Sequence, residues 1–321
     1  MDVSDSKADE AQSMGDAFRT AANQTEEQQL AQIDGYLAHM RTLGYDRIDG
    51  PILQMAKSTM KSGRRDEMCD ILRNFRPIVE PEEGALMFGY FPDVDEADVI
   101  HCIQVYEDWD ALCHHMREPR YMQYVDPIMS IAAPGSPEYS YGSCLFMHRG
   151  NGHGGKQAGD APTNNKKDLE AAAEGVMGDV YRSIAKMTEE EQFAQIEGHL
   201  DHMASLGYDK IDGPILQLAK ATALPGRRPE LLEVLKRFQP IVEGEVGTLM
   251  YGHFPDVDHP DVIHSMQVYE DWDALCAHMR DIRYNQFVTP IMGLAAPGSP
   301  EYHYGSCLFM HRGKGHKLQA G

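Results

Sequence analysis

The chain has 321 residues, of which 42% are hydrophobic, so it can bury a sizeable core. Its 29 Lys and Arg residues against 50 Asp and Glu residues give a formal net charge of −21. That balance argues against nucleic acid or an anionic membrane surface as a partner, because both require basic patches. No apolar run approaches the roughly 18 residues of a membrane-spanning helix. The six cysteines are too sparse for a disulfide scaffold, and we therefore expect free thiols in a cytoplasmic protein.

The chain contains a tandem repeat with an offset of 163 residues. Ile48–Gln54 recurs as Ile211–Gln217, and Tyr106–Cys113 recurs as Tyr269–Cys276. Roughly 70% of the aligned positions are identical, and a period of this length corresponds to a whole domain. The predicted divisions are a flexible N-terminal segment 1–24, a first repeat 25–155, a Gly-, Asn- and Pro-containing linker with the start of a helix 156–187, and a second repeat 188–321.

Each repeat is predicted to begin with a helix and to continue as βαββαβ. Thr25 and Gln28 have the spacing of a capping box, which predicts a helix that ends at Gly44. The other elements predicted for the first repeat are a strand over 52–59, a helix opening at 63–65, strands over 85–91 and 99–106, helices after Asp108 and over 120–131, and a last strand over 141–148. This order is the ferredoxin-like arrangement.

Four segments of the first repeat resemble the antibiotic biosynthesis monooxygenase (ABM) domain: Gly63–Arg65, Glu82–Leu86, Gln104–Leu112 and His115. The resemblance covers about 52–129 and again 215–292. Members of this family are usually homodimers whose two sheets form a shared α+β barrel. The resemblance therefore implies that this chain builds the dimer within itself. Elementary packing agrees, because a ferredoxin-like sheet has helices on one face only and its bare face needs a partner.

The resemblance also implies a pocket histidine on the second helix of each βαββαβ unit, at His115 and His278. A neutral imidazole at that position could take a proton from a phenol or an enol, because its ordinary pKa suits that task. The alternative is that the two histidines only stabilise a helix contact or bind the sheet by hydrogen bonds.

Aromatic and arginine side chains near these histidines are the candidate substrate-binding residues. They are Tyr106, Trp109, Arg120 and Tyr121, with Tyr269, Trp272, Arg283 and Tyr284 in the second repeat. The rings could form the wall of a pocket for a planar substrate, although such residues are more often core. The arginines could bind a carboxylate or a phenolate, or could pair with acidic neighbours in this acidic chain.

Histidine-ligated metal is a separate chemistry that the sequence leaves open. The candidate ligands are His101, His148, His264 and His311. Their spacing is not that of a known metal motif, but separate strands can bring such ligands together in space. The alternative for His101 and His264 is a buried histidine whose hydrogen bonds are satisfied.

The function we expect from the resemblance is that of a monooxygenase-like enzyme without a cofactor, acting on a small electron-rich aromatic or polyketide-like substrate. Its partners would be that small molecule and dioxygen, and further oligomerisation stays open. Haem degradation is disfavoured, because Val125, Val288, Ala56 and Ala219 occupy the positions where haem-binding relatives carry His and Asn. Two alternatives remain: a non-catalytic small-ligand-binding or stress-response protein, and a histidine-ligated metalloenzyme.

Overall fold

The computed structural model describes residues 14–150 and 187–313. Nearly all of the predicted linker 156–187 and the first part of the predicted segment 1–24 lie outside the described residues. The helices are α1 Met14–Ala21, α2 Glu26–Thr42, α3 Arg65–Arg73, α4 Arg76–Val79, α5 Trp109–Met116 and α6 Val125–Ile131 in the first repeat, and α7 Glu189–Ser205, α8 Arg228–Leu235, α9 Gln239–Val242, α10 Trp272–Arg280 and α11 Asn285–Leu294 in the second.

The strands form two antiparallel five-stranded sheets. They are β1 Ile52–Thr59, β2 Ala85–Pro92, β3 Val99–Tyr106, β4 Glu138–Ser143 and β5 Phe146–Arg149, followed by β6 Ile215–Thr222, β7 Thr248–Pro255, β8 Val262–Tyr269, β9 Glu301–Ser306 and β10 Phe309–His311. The strand orders are β10-β2-β3-β1-β4 and β5-β7-β8-β6-β9. The predicted α+β fold with two ferredoxin-like repeats is therefore confirmed.

The final strand of each repeat belongs to the sheet of the other repeat, which the sequence analysis did not predict. The expected single strand over 141–148 is wrong, because the chain leaves the first sheet after Ser143 and resumes as β5, with Phe146 opposite His253. In return β10 pairs with β2, with Phe309 opposite Tyr90. This reciprocal exchange covers an edge of each sheet that would otherwise present unpaired backbone groups.

The two sheets pack face to face, which buries the apolar face of each sheet that its own helices leave uncovered. Buried side chains from both repeats form one cluster between them, made of Leu53, Leu86, Met87, Phe91, Ile103, Val105, Leu216, Leu249, Met250, Phe254, Met266, Val268 and Cys307. Ile103 and Val105 of β3 point into this cluster, whereas Ile100, Cys102 and Tyr106 point toward the helices. The sheet thus separates an inter-repeat core from a helix-facing core.

Matching contacts join the repeats at both edges of the barrel. The Val94 amide donates to the Tyr304 carbonyl at 2.9 Å, and the Val257 amide donates to the Tyr141 carbonyl at 3.0 Å. The close contact between the repeats at Gly305 requires glycine, because an added Cβ there would lie 2.7 Å from the Cβ of Phe91.

A second pair of cross-repeat bonds lies outside the sheets. The Tyr45 hydroxyl donates to Asp258 at 2.6 Å, and the Tyr208 hydroxyl donates to Asp95 at 2.7 Å. Because each contact recurs with the repeats interchanged, the chain has an internal two-fold relationship, as an isologous dimer would.

Residues Met14–Ala21 of the segment 1–24, which we expected to be flexible, form helix α1. Met14, Ala17 and Ala21 are buried in the helix-facing core, and their spacing places them on one side of a helix. Gln29, from α2, donates to the Ala21 carbonyl at 3.4 Å. The short apolar stripe explains why this segment packs although most of its neighbours are polar. Within the described parts of the chain, no helix combines the length and apolar character needed to cross a bilayer.

Candidate active site

His115 is held between the helices and the sheet of the first repeat. It lies on α5, whose first turn is fixed by the Asp108 side chain accepting a hydrogen bond from the Ala111 amide at 3.0 Å. The imidazole packs against the rings of Tyr121 and Tyr106, with centroid separations of 4.7 and 5.1 Å. The ring is therefore confined by aromatic neighbours.

A buried carboxylate, Glu82, orients this histidine. His115 Nδ1 lies 2.8 Å from one Glu82 oxygen, and the Tyr121 hydroxyl donates to the other at 2.9 Å. Burial, and then the negative charge of Glu82, raise the pKa of Tyr121 well above its usual range. When Nδ1–H donates to the carboxylate, Nε2 carries the lone pair and is the nitrogen that can accept a proton.

The second repeat carries the same unit with one additional bond. His278 Nδ1 and the Tyr284 hydroxyl each lie 2.8 Å from one oxygen of Glu245, and the Thr248 hydroxyl donates to the other at 2.7 Å. Burial acts to raise the pKa of Glu245, but the hydrogen bond and charge of His278, with the hydroxyl bonds, bring it below its usual value. Ala85 stands at the position of Thr248 in the first repeat.

Each histidine lines a cavity between its sheet and its helices. The cavity of the first repeat measures about 100 Å³ and that of the second about 80 Å³. Apolar side chains dominate the first, among them Met14, Met68, Met116, Met122, Met129, Phe18, Phe75 and Val125. In the second, Asn285 occupies the position of Met122. The two cavities are thus related by the repeat but are not chemically identical.

One buried glutamine in each cavity has an unused acceptor. Gln54 and Gln217 line the two cavities and are 3% and 2% exposed. Their Nε2 groups donate to Tyr141 and Tyr304 at 3.2 and 3.1 Å. Their Oε1 atoms have no hydrogen-bond partner among the described residues. A buried carbonyl in this state can accept a hydrogen bond from a ligand hydroxyl.

The structure brings some of the predicted substrate-binding residues to the cavities and leaves others elsewhere. Tyr121 and Tyr284 line them. Tyr106 and Tyr269 lie fully buried beside the histidines, and each donates to a glutamine of its own strand at 2.5 Å. They are core residues that support the pocket rather than its exposed wall.

The tryptophans and Arg120 lie away from the two cavities, whereas Arg283 lines an open pocket of about 610 Å³ together with His278 and Glu245. Trp109 and Trp272 pack near Tyr45 and Tyr208, each at a centroid separation of 6.4 Å. Arg120 binds Glu118 at 2.7 Å on the surface, and Arg283 binds Asp281 in the same way. The structure therefore does not place Trp109, Trp272 or Arg120 at the two cavities, and substrate binding by Arg283 stays a prediction.

The four candidate metal ligands His101, His148, His264 and His311 do not come together in one site. His148 lies on β5 opposite Tyr251, in the sheet of the second repeat, and His311 lies opposite Phe88 in the first. His101 instead binds Asp93 at 2.7 Å, and His264 binds Asp256 at 2.6 Å. The strand exchange is the reason, since it carries each late histidine away from its own sheet.

Sequence reasoning missed Glu82, Glu245 and the two cavity glutamines as site residues. Glu82 lies three residues before β2, and nothing in a single sequence pairs it with a histidine 33 positions away. A usable signal was the recurrence of Gln54 and Gln217 between apolar residues in the first half of each strand, because a buried polar side chain on a strand needs a partner.

A difference between the repeats predicts a pH effect on stability. His253 replaces Tyr90, and burial, with the nearby charge of His278, lowers its pKa to about 3. The unfolded chain binds a proton near pH 6.5 and the folded chain does not, so stability falls as pH drops below 6.5. Between pH 7 and pH 5 we expect the wild type to lose about 2 kcal/mol more than His253→Tyr in urea unfolding. Parallel pH profiles for the two proteins would contradict this.

Comparison with known proteins agrees with this description. The sequence model of the antibiotic biosynthesis monooxygenase family matches residues 51–127. A protein from Fusobacterium nucleatum named "putative monooxygenase" is similar in structure, with a TM-score of 0.57 and 14% identity over 83% of this chain and 96% of that one. A protein of the same name from Lactobacillus acidophilus has a TM-score of 0.56 and 13% identity over 82% and 97%.

At these identities the two structures establish the fold, and their coverage extends over both repeats. No curated protein sequence matches the chain significantly. The family match lies within the first repeat, and the second repeat reproduces it at a constant offset and with the same strand order. The chain therefore consists of two copies of one fold, and residues 51–127 of the first copy match the antibiotic biosynthesis monooxygenase family model.

Proposed function

We propose that the chain is a monooxygenase that needs no cofactor and oxidises a small electron-rich aromatic substrate in the cavities of His115 and His278. The observation that carries this proposal is the pairing of each histidine with a buried glutamate through Nδ1. This pairing directs Nε2 to act as a base beside an apolar, water-poor space.

The histidine would remove a proton from the phenol, and the resulting carbanion character of the ring supplies the electrons. The ring carbon bonds to one atom of dioxygen and forms a hydroperoxide. Loss of the second oxygen atom as water, with the proton returned by the imidazolium, leaves a carbonyl on the ring. The balance is one phenol and one dioxygen giving one quinone and one water. Glu82 and Glu245 stabilise the imidazolium in this cycle.

The size of the cavities favours a single ring over a polyketide. A typical ligand pocket measures about 300–1,000 Å³, whereas the larger of the two cavities between sheet and helices is about 100 Å³. His278 also borders an open surface pocket of about 610 Å³. Methionine side chains can rearrange to admit a ligand more easily than branched residues, and Met68, Met116 and Met122 line this space. The Oε1 acceptor of Gln54 would receive a second ring hydroxyl, which favours a dihydroxylated ring.

Oxygen uptake by the purified full chain tests the proposal. We expect stoichiometric consumption of dioxygen with one- and two-hydroxyl single-ring phenols, formation of the quinone, and little uptake with tricyclic substrates. Metal chelators should not change the rate. If the phenols bind, as measured by calorimetry, without oxygen uptake, the monooxygenase proposal is wrong and the non-catalytic ligand-binding alternative holds.

The expected cytoplasmic location belongs to the same proposal. All six cysteines are free, and free thiols are usual in a reducing compartment. A small organic substrate and dioxygen are the proposed partners, and the charge of −21 disfavours nucleic acid.

A further inference from the structure

A cluster of three potential metal ligands lies at the end of the barrel, between the repeats. Asp93 follows β2 and His101 lies on β3, both in the first repeat, and His303 lies on β9 of the second. The carboxylate oxygen and one nitrogen of each ring lie within 4.8 Å of one another. His101 Nε2 is 2.7 Å, and His303 Nδ1 is 3.7 Å, from the same Asp93 oxygen.

The carboxylate is fixed so that this oxygen faces the two imidazoles. The other Asp93 oxygen accepts hydrogen bonds from the Asp95 and Glu96 amides at 2.8 and 2.6 Å. The side chains of Asp93 and His101 are 1% and 4% exposed, whereas that of His303 is 34% exposed. The arrangement is therefore rigid on its inner side and open to solvent through His303.

The second repeat provides an internal comparison. Asp256 and His264 form the same pair at 2.6 Å, but the position equivalent to His303 is Ser140, on β4 of the first repeat. Among the described residues, the Asp256 oxygen that faces His264 has no second ring beside it, whereas the other oxygen accepts from the Asp258 and His259 amides at 2.9 and 2.7 Å and lies 3.0 Å from His259 Nδ1. His303, the third potential ligand beside Asp93 and His101, therefore exceeds what the structural role of that Asp–His pair requires.

We propose that Asp93, His101 and His303 bind one divalent transition metal ion of the zinc class. Two imidazole nitrogens and one carboxylate oxygen are a donor set for such ions, whereas Mg²⁺ and Ca²⁺ prefer oxygen ligands alone. Ligand bonds of about 2.0–2.2 Å place donor atoms about 3–3.5 Å apart around a tetrahedral ion, and the distances of 2.7 and 3.7 Å bracket that value. The ion would replace the proton that His101 shares with Asp93.

The site would tie the two repeats together and leave room for a further ligand. Glu96 Oε1 lies 3.5 Å from His303 Nδ1 on the solvent side. The Lys57 ammonium group forms an ion pair with the same Glu96 oxygen at 2.8 Å. Water or this carboxylate would complete the coordination. Because two ligands come from the first repeat and one from the second, the ion binds only the assembled barrel and stabilises it. The inference goes beyond the proposed oxygenase function, which uses the His115 and His278 cavities.

Metal titration of the full chain, prepared without an affinity tag and stripped with a chelator, tests this inference. Zn²⁺ followed by calorimetry and Co²⁺ followed by its visible absorption should each bind at one equivalent, and Zn²⁺ should raise the melting temperature. His303→Ser, which introduces the residue found at the equivalent position 140 of the first repeat, should weaken binding by about tenfold or more and remove the thermal shift. Its metal-free melting temperature should match that of the wild type.

The reverse substitution gives an independent arm. Ser140→His should create a second site with Asp256 and His264 and raise the stoichiometry from one to two. His114→Ala, which removes an exposed histidine of α5, should leave binding unchanged. Absence of saturable binding by the wild type, or the same affinity in wild type and His303→Ser, would overturn the proposal.

Discussion

The double variant His115→Ala/His278→Ala should lose oxygen consumption by about 10²–10⁴-fold while keeping the fold. Each histidine supplies the proposed base through Nε2, and each is fixed by a buried glutamate at 2.8 Å. Removing both rings leaves the cavities in place but deprives the substrate of its proton acceptor. The measurement is the initial rate of oxygen uptake with a single-ring phenol, compared at saturating substrate.

The design of this experiment includes a matched control on the same helix. His114 neighbours His115, is exposed, and has Ala277 as its equivalent in the second repeat, so His114→Ala should retain full activity. Glu82→Gln with Glu245→Gln should give an intermediate rate, because the amide oxygen still accepts from Nδ1 but no longer carries the charge that stabilises the imidazolium. Turnover that is unchanged in the double histidine variant would remove both residues from the mechanism.

Phe91→Ala should lower the free energy of unfolding by about 3–5 kcal/mol, as expected for truncation of a large buried aromatic residue. Phe91 is fully buried in the cluster between the sheets, and its Cβ closely approaches Gly305 of the other repeat. The substitution would therefore leave a cavity between the two repeats, and rearrangement of side chains in one sheet alone would not fill it. Urea unfolding at neutral pH measures the change.

The control for Phe91 is an exposed phenylalanine. Phe193 lies on α7 and is 41% exposed, so Phe193→Ala should change stability by no more than about 0.5 kcal/mol. Phe254→Ala, at the equivalent position to Phe91, should match the large effect. A loss for Phe91→Ala as small as that for Phe193→Ala would show that the sheets do not share a tightly packed core.

Local sequence signals predicted the elements that depend on local chemistry. The Thr25–Gln28 capping box forms and starts α2, and the Asp108 side chain caps α5. The strands over 52–59 and 99–106 fall where the patterns placed them. The half-covered sheet predicted the inter-repeat core as well, because burial of an apolar sheet face is a requirement that holds for any fold.

Features that depend on long-range pairing were not predictable from one sequence. The crossing of β5 and β10 depends on which sheet edge is free, and the pattern over 141–148 is equally typical of one continuous strand. Glu82 reaches His115 only because β2 returns beneath α5. The tryptophans of α5 and α10 lie near the histidines in sequence but do not line the two cavities, because a helix turns successive residues to different sides.

Cleavage of the chain between its repeats tests the central claim of a single barrel most directly. A protease site inserted within 156–187 would be cut to completion, and the product would be analysed by gel filtration under native conditions. We expect the two halves to co-elute at the mass of the intact chain and to separate only in denaturant, because they share a core and exchange strands. Two folded halves that elute separately without denaturant would contradict the account.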